Sequence, residues 1–235
     1  MKNKLNLWTA ACLNVLYVVC VFLSCFAGFI HPVCWAYFTV LVAILAVGPY
    51  YLLAVRWHKF GLGTVLSLLV VLFCLATGEA TGFLSKAIIF GFGVLSDIAR
   101  QLIGNDKKKA FYVAYPLLAV GNIGWIISLW VKPQWYLEGA AEEMGEAYSQ
   151  GIAALQTPLH LVLVIVLTAA MGVFGIWICN KGMKKSANEK WEKMIEGMHT
   201  YTPDELNKHL TAAGFREITI KRDETKHWLA VTATK

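Results

Sequence analysis

Few residues in this chain have both the type and the setting to do chemistry, and most of those stand in or beside long apolar runs. Glu79, in LATGEATGFL, and His160, in QTPLHLV, mark the ends of two such runs. A carboxylate at membrane depth costs about 2.5–3.5 kcal/mol even on the lenient insertion scale, so it faces protein or water rather than lipid. Glu79 is therefore a pocket residue or one that reaches the interface, and His160 a ligand contact or an interfacial anchor. Asn122 and Trp125, in AVGNIGWIISLW, stand three apart and nearly share a helical face, an amide beside an indole. Trp35 and Tyr37, in HPVCWAYF, divide between pocket and aromatic belt. Such a set could bind. Amide and aromatic groups suit a planar or heterocyclic solute, while Glu79 and His160 favour a cation or a metal chelate.

Nothing in the spacing could catalyse. The chain has no nucleophile–base pair, HExxH, P-loop or paired-carboxylate pattern, and the GFG at 91–93 lies in an apolar run rather than after a strand. The six cysteines are scattered through apolar runs without a CxxC or a histidine at zinc-ligand spacing. The expectation is a chain that is not an enzyme, with no cofactor and no metal site.

The elements that hold these residues are read from hydropathy. Of 235 residues, 57% are hydrophobic and 15% charged, against about 25% charged in ordinary globular domains, which points to lipid. A membrane helix needs about 20 apolar residues. Six stretches approach that length, over roughly 5–30, 33–55, 60–78, 82–103, 110–131 and 158–180. The first is too long for the apolar part of a signal peptide and lacks a small-x-small cleavage site. The expected fold is an all-α integral membrane protein of six transmembrane helices.

Lysine and arginine set the orientation. Lys2 and Lys4 precede the first stretch, Arg56 and Lys59 separate the second from the third, and Arg100 and Lys107–Lys109 separate the fourth from the fifth. Lys181, Lys184 and Lys185 follow the sixth, while the opposite side holds only Lys86 and Lys132 among several glutamates. The positive-inside rule then places both termini in the cytoplasm, in a multi-pass protein of the cell membrane. The net charge of +6 reads as a topology device and an attraction to the lipid bilayer, not as a nucleic-acid footprint.

On the outer side, Leu137, Ala141, Met144, Tyr148, Ile152 and Leu155 recur at three- and four-residue steps, which predicts one amphipathic helix, either a lid or an interfacial connector. Trp130, Trp135 and Tyr136 fit an aromatic belt. At the inner end of the fourth stretch, Asp97 and Arg100 form either a local ion pair or a contact for a partner.

The order AVGPYYLLAVRWHKFG, FGFGVLSDIAR, NDKKK, GAAEEMGEAYSQGI, then TP opening and KKS closing the sixth stretch, resembles the MptD/Trep_Strep family of energy-coupling-factor transporter substrate-binding (S) components, over about residues 3–186. The resemblance implies a six-helix domain over 1–186 that captures a small micronutrient at the outer face. A transmembrane coupling protein and two ABC ATPases would supply the energy. It also implies a docking pair of alanines on the first helix. The nearest matches are Ala10 with Asn14 and Ala11 with Val15. Where the family tends to have His–Gly after the TG of the third stretch, this chain has Glu79–Ala80.

From about residue 187 the grammar is that of a soluble domain. Thr202-x-x-Glu205 with Pro203 predicts a boxed helix start, Leu206 and Leu210 an apolar face, and Gly214 a stop. REITIKR and WLAVTATK read as a β-hairpin. This stretch, 187–235, is similar to the C-terminal end of a class I S-adenosylmethionine-dependent methyltransferase. It lacks the glycine-rich turn and the acidic ribose ligand that bind the cofactor, so it predicts a cytoplasmic α-β-β appendage. The alternative function is a membrane-anchored accessory of a methyltransferase.

Overall fold

A computed structural model describes residues 7–76, 82–105, 107–196, 202–223 and 228–235 of the chain. It is mostly helical and divides into two compact units, Met1–Met183 and Lys184–Lys235.

Among the described residues, two helices are long and apolar enough to cross a bilayer. One is α1 (Leu7–Phe26) with the 3₁₀ turn Ala27–Phe29, 23 residues together; the other is the Pro158–Met183 part of α11 (Pro158–Glu196), 26 residues. Only 22% and 28% of their most apolar windows are buried in the chain, so both present long, uncovered apolar faces. Core helices of soluble proteins do the reverse. At the end of the apolar part of α11, Phe174 stacks on Trp177 at 5.8 Å and the Lys181 ammonium lies 5.2 Å from the Trp177 ring. An aromatic and a lysine together suit a lipid–water boundary.

The other four of the six expected stretches form helices that are shorter, broken or more charged. Residues 33–55 fold as α2 (Pro32–Ala36), α3 (Phe38–Leu45) and α4 (Val47–Ala54). Pro49 has no N–H to offer in the first turn of α4, which accounts for the break before it. The third stretch begins later, at α5 (Leu62–Ala76), because Gly61 takes φ +109° just before it. Stretch four is the continuous 21-residue α6 (Phe83–Ile103), but Lys86, Asp97 and Arg100 fall in every 18-residue window of it. Stretch five divides into α7 (Lys108–Gly121), a 3₁₀ turn Asn122–Trp125 and α8 (Ser128–Val131).

Around these helices the interior is built mainly of α1 against α3, α4 and α5, with α6 lying between α5 and α7. Small residues let α5 and α6 approach closely, as they do in lipid. A Cβ added at Gly93 would lie 1.9 Å from Ser67 Oγ and 2.7 Å from the Gly63 carbonyl oxygen. Ser96 Oγ, on the same helix, donates to Ala114 O at 2.7 Å and ties α6 to α7. Gly93→Ala is expected to destabilise the unit by about 1–3 kcal/mol, the ordinary cost of overpacking. Thermal unfolding in detergent checks this, with Gly91→Ala as the neutral control because a Cβ there meets nothing within 4 Å.

In the second unit, α12 (Pro203–Ala212) starts on the expected capping box: Thr202 Oγ1 accepts from Glu205 N at 3.3 Å, and Thr202 N donates to the Glu205 carboxylate at 2.9 Å. Those bonds from Thr202 hold the Glu205 carboxyl below its ordinary range. Gly214 ends the helix region at φ +85°. β1 (Arg216–Asp223) and β2 (Trp228–Thr234) pair antiparallel, with a register shift between Arg216 and Thr219, where Glu217 takes φ +51°.

Candidate functional site

At one end of the first unit, aromatic side chains from α1, α2, α3 and the 3₁₀ turn meet. The Trp35 ring stacks on Phe38 at 5.9 Å. Phe38 lies edge-on to Trp125 at 6.5 Å, and Phe22 of α1 edge-on to the same indole at 5.5 Å. A glycine sets the position of Trp35: a Cβ at Gly28 would come within 2.2 Å of its ring. Phe38 and Trp125 are fully buried, and Trp35 is half-buried.

The 3₁₀ turn explains how Asn122 and Trp125 come together. At the C-terminus of α7 the last carbonyls lack intrahelical donors. Asn122 Nδ2 donates to Leu118 O at 3.2 Å and to Ala119 O at 3.3 Å, the latter also accepting the Asn122 backbone N–H, and so stabilises the tightened turn. In a 3₁₀ helix, residues i and i+3 eclipse, which puts Asn122 and Trp125 on one face. The turn packs against α6, where a Cβ at Gly124 would sit 2.4 Å from the Ser85 carbonyl oxygen. Asn122 and Trp125 thus lie on a tight turn rather than along a spanning helix.

Two helices join this end of the unit. The predicted single amphipathic helix is α9 (Pro133–Met144) and α10 (Glu146–Ala153), divided because Gly145 takes φ +90°. Each contributes a phenol that sequence reasoning assigned elsewhere. Tyr136, read as belt, accepts a hydrogen bond from Trp35 Nε1, and Tyr148, read as part of an apolar stripe, donates to Gly28 O. Gly151 also packs on Pro32, where an added Cβ would lie 2.7 Å from Pro32 Cγ. The cover is thus fastened to the Gly28–Trp35 segment that carries the aromatic stack.

Burial pushes the Tyr148 phenol up to about 12 from an ordinary value of about 10. A raised value means that the folded cover favours the neutral phenol. Its contribution is whole below about pH 10 and is lost as pH rises through about 12. Tyr148→Phe is expected to loosen α10, with backbone amide exchange over 146–153 about two- to tenfold faster at neutral pH, the scale of one net hydrogen bond. Exchange that stays at the wild-type rate would show that the phenol does not hold the cover.

His160 stands with Tyr37, edge-on at 6.2 Å, and its Nδ1 lies 3.3 Å from Thr157 Oγ1. Glu79 lies outside the described residues. Ala11 is exposed on α1 and Ala10 is half-buried.

Asp97 and Arg100 are each only 1% exposed, which corrects their reading as a partner surface. The Asp97 carboxylate accepts from Gly63 N at 2.9 Å, Thr64 N at 2.7 Å and Thr64 Oγ1 at 2.7 Å, at the N-terminus of α5. Arg100 Nη2 donates to Ala54 O at 2.9 Å and to Trp57 O, at the C-terminus of α4. An anion at a helix start and a cation at a helix end both complement the macrodipole. The pair staples the α4–α5 connection to α6.

No curated protein matches the chain, and no solved structure does. The chain matches the Trep_Strep family model, described as a hypothetical bacterial integral membrane protein, over residues 6–187. With most of its length covered by that model and two long apolar helical segments, Leu7–Phe29 and Pro158–Met183, largely uncovered, the chain belongs to the Trep_Strep family of bacterial integral membrane proteins.

Proposed function

We propose that this chain is the substrate-binding (S) subunit of an energy-coupling-factor importer, capturing a small micronutrient at the outer face of the cell membrane. The observation that carries the reading is the buried Trp35–Phe38–Trp125–Asn122 cluster at one end of the membrane unit, with α9 and α10 fastened beside it. Buried aromatic rings with a few placed polar groups are what small-solute sites are made of. Six passes, including the broken ones, put both termini inside and that cluster outside. Irregular backbone such as the 3₁₀ turn is tolerated at membrane depth where protein surrounds it. The chain itself is not an enzyme; two ABC ATPases hydrolyse ATP, and a transmembrane coupling protein passes the resulting motion to it.

The test is purification of the full, tagged chain from its own membranes. A second integral protein and P-loop ATPases are expected in stoichiometric amounts, and cysteine labelling should place residue 2 and residue 235 inside. Recovery of the chain alone from intact membranes, or a terminus outside, would contradict the reading.

A second reading is favoured by one observation: no side chain of α12 is buried. An amphipathic helix whose apolar residues Leu206 and Leu210 are only half-buried suits a membrane-anchored accessory that completes or recruits a methyltransferase. Deleting residues 190–235 separates the two. The importer reading expects insertion and capture to survive, and the accessory reading expects a methyltransferase to be lost from the membrane.

A further inference from the structure

Buried polar atoms nearly always have a partner, and each one without calls for a physical reason. Three stand together where the 3₁₀ turn meets α6. Asn122 Oδ1 and Trp125 Nε1 have no hydrogen-bond partner, and neither does Ser85 Oγ, whose backbone lies against Gly124. All three side chains are at least 98% buried. The Tyr17 phenol of α1 lies beside the Asn122 amide but leaves Oδ1 unpaired. Asn122 cannot turn its amide over to mend this, because Nδ2 is engaged on Leu118 and Ala119. The amide is therefore oriented, with its acceptor held out. Beside it on the same face, the indole N–H is an unmet donor.

The surroundings fix the kind of partner. Phe22 and Phe38 lie against the indole and supply apolar, quadrupolar walls. Among the described buried residues, Asp97 and Arg100 alone carry charge, and both are committed to the ends of α4 and α5. One oriented acceptor and one oriented donor, both neutral and both in an aromatic setting, complement a flat molecule that carries a carbonyl and an N–H on one edge.

We propose that the chain takes an uncharged planar solute with an amide or lactam edge, its N–H on Asn122 Oδ1 and its carbonyl on Trp125 Nε1. This rests on the capture role and decides against a cation or a metal chelate at this cluster. The atoms are sealed in the present structure, so entry requires the rings to part. Tyr136 and Tyr148, which tie α9 and α10 to the Trp35 segment, are the contacts that would yield.

Three flat isosteres that differ in charge test the class: benzamide, benzamidine and benzoate, measured by equilibrium dialysis against the purified full chain. Benzamide is expected to bind saturably, at about millimolar affinity for so small a probe, and at least tenfold tighter than either ion. Trp125→Phe keeps the ring and removes the donor, and is expected to weaken benzamide about three- to tenfold. Asn122→Asp is expected to reverse the preference towards benzamidine. Equal or tighter binding of an ion by the wild type, or saturable binding of none of the three, overturns the proposal. So does benzamide binding that neither variant alters. Co-purification of the ATPases is read separately, so a failed substrate class with partners still bound leaves the importer reading standing.

Discussion

Replacing Asp97 with alanine is expected to destabilise the membrane unit by about 3–5 kcal/mol, the scale of removing one partner from a buried charged network. Three hydrogen bonds go at once, those from Gly63 N, Thr64 N and Thr64 Oγ1. The first-turn N–H groups of α5 are then left buried without an acceptor. Arg100 would keep its carbonyls on α4 and its place 5.4 Å from the Phe111 ring, but would lose the nearby anion on its own helix. Asp97→Asn preserves the shape and one acceptor, so its loss should be about half as large. Unfolding followed in detergent distinguishes the three proteins. A wild-type midpoint for Asp97→Ala would show that the α4–α5 connection is held by packing alone.

Trp125→Ala carries the second large effect. The indole is 2% exposed and stands between Phe22 and Phe38. Emptying such a site costs about 3–5 kcal/mol where the surroundings relax only in part. Within a bilayer most of that is lost packing rather than lost transfer from water. The 3₁₀ turn would lose the ring that anchors it, and Asn122 its neighbour. Trp125→Phe retains most of the contact and should cost under about 1.5 kcal/mol, as near-conservative apolar exchanges do. Solute capture is expected to vanish in the first variant and to weaken in the second. A wild-type unfolding midpoint for Trp125→Ala would show that the ring does not anchor the turn.

Hydropathy made the membrane character legible, because apolar runs this long and this poor in charge outstrip what a soluble core of the same chain could cover. Capping grammar made α12 and its hairpin legible. Helix breaks were harder to read. Pro49 and Gly61 carry local signals, whereas the tight turn at Asn122 arises from an amide reaching back to Leu118 and Ala119, a choice that periodicity does not record. That Asn122 and Trp125 share a face was legible from their spacing. Tyr136 and Tyr148 were not, since their partners Trp35 and Gly28 lie 101 and 120 residues away along the chain. Asp97 and Arg100 were legible as neighbours from their spacing, but the helix end that each one bonds was not. Only tertiary placement brings the starts and ends of other helices to these two side chains.

The most direct measurement of the central claim is uptake into sealed vesicles. The full chain is reconstituted with and without the coupling protein and ATPases that purify with it, and with and without ATP inside a defined orientation. The vesicles are incubated in a mixture of small metabolites, and their lumens are read by mass spectrometry. The account predicts one solute enriched only when chain, partners and ATP are all present. Enrichment by the chain alone, or by the partners without it, would contradict the account.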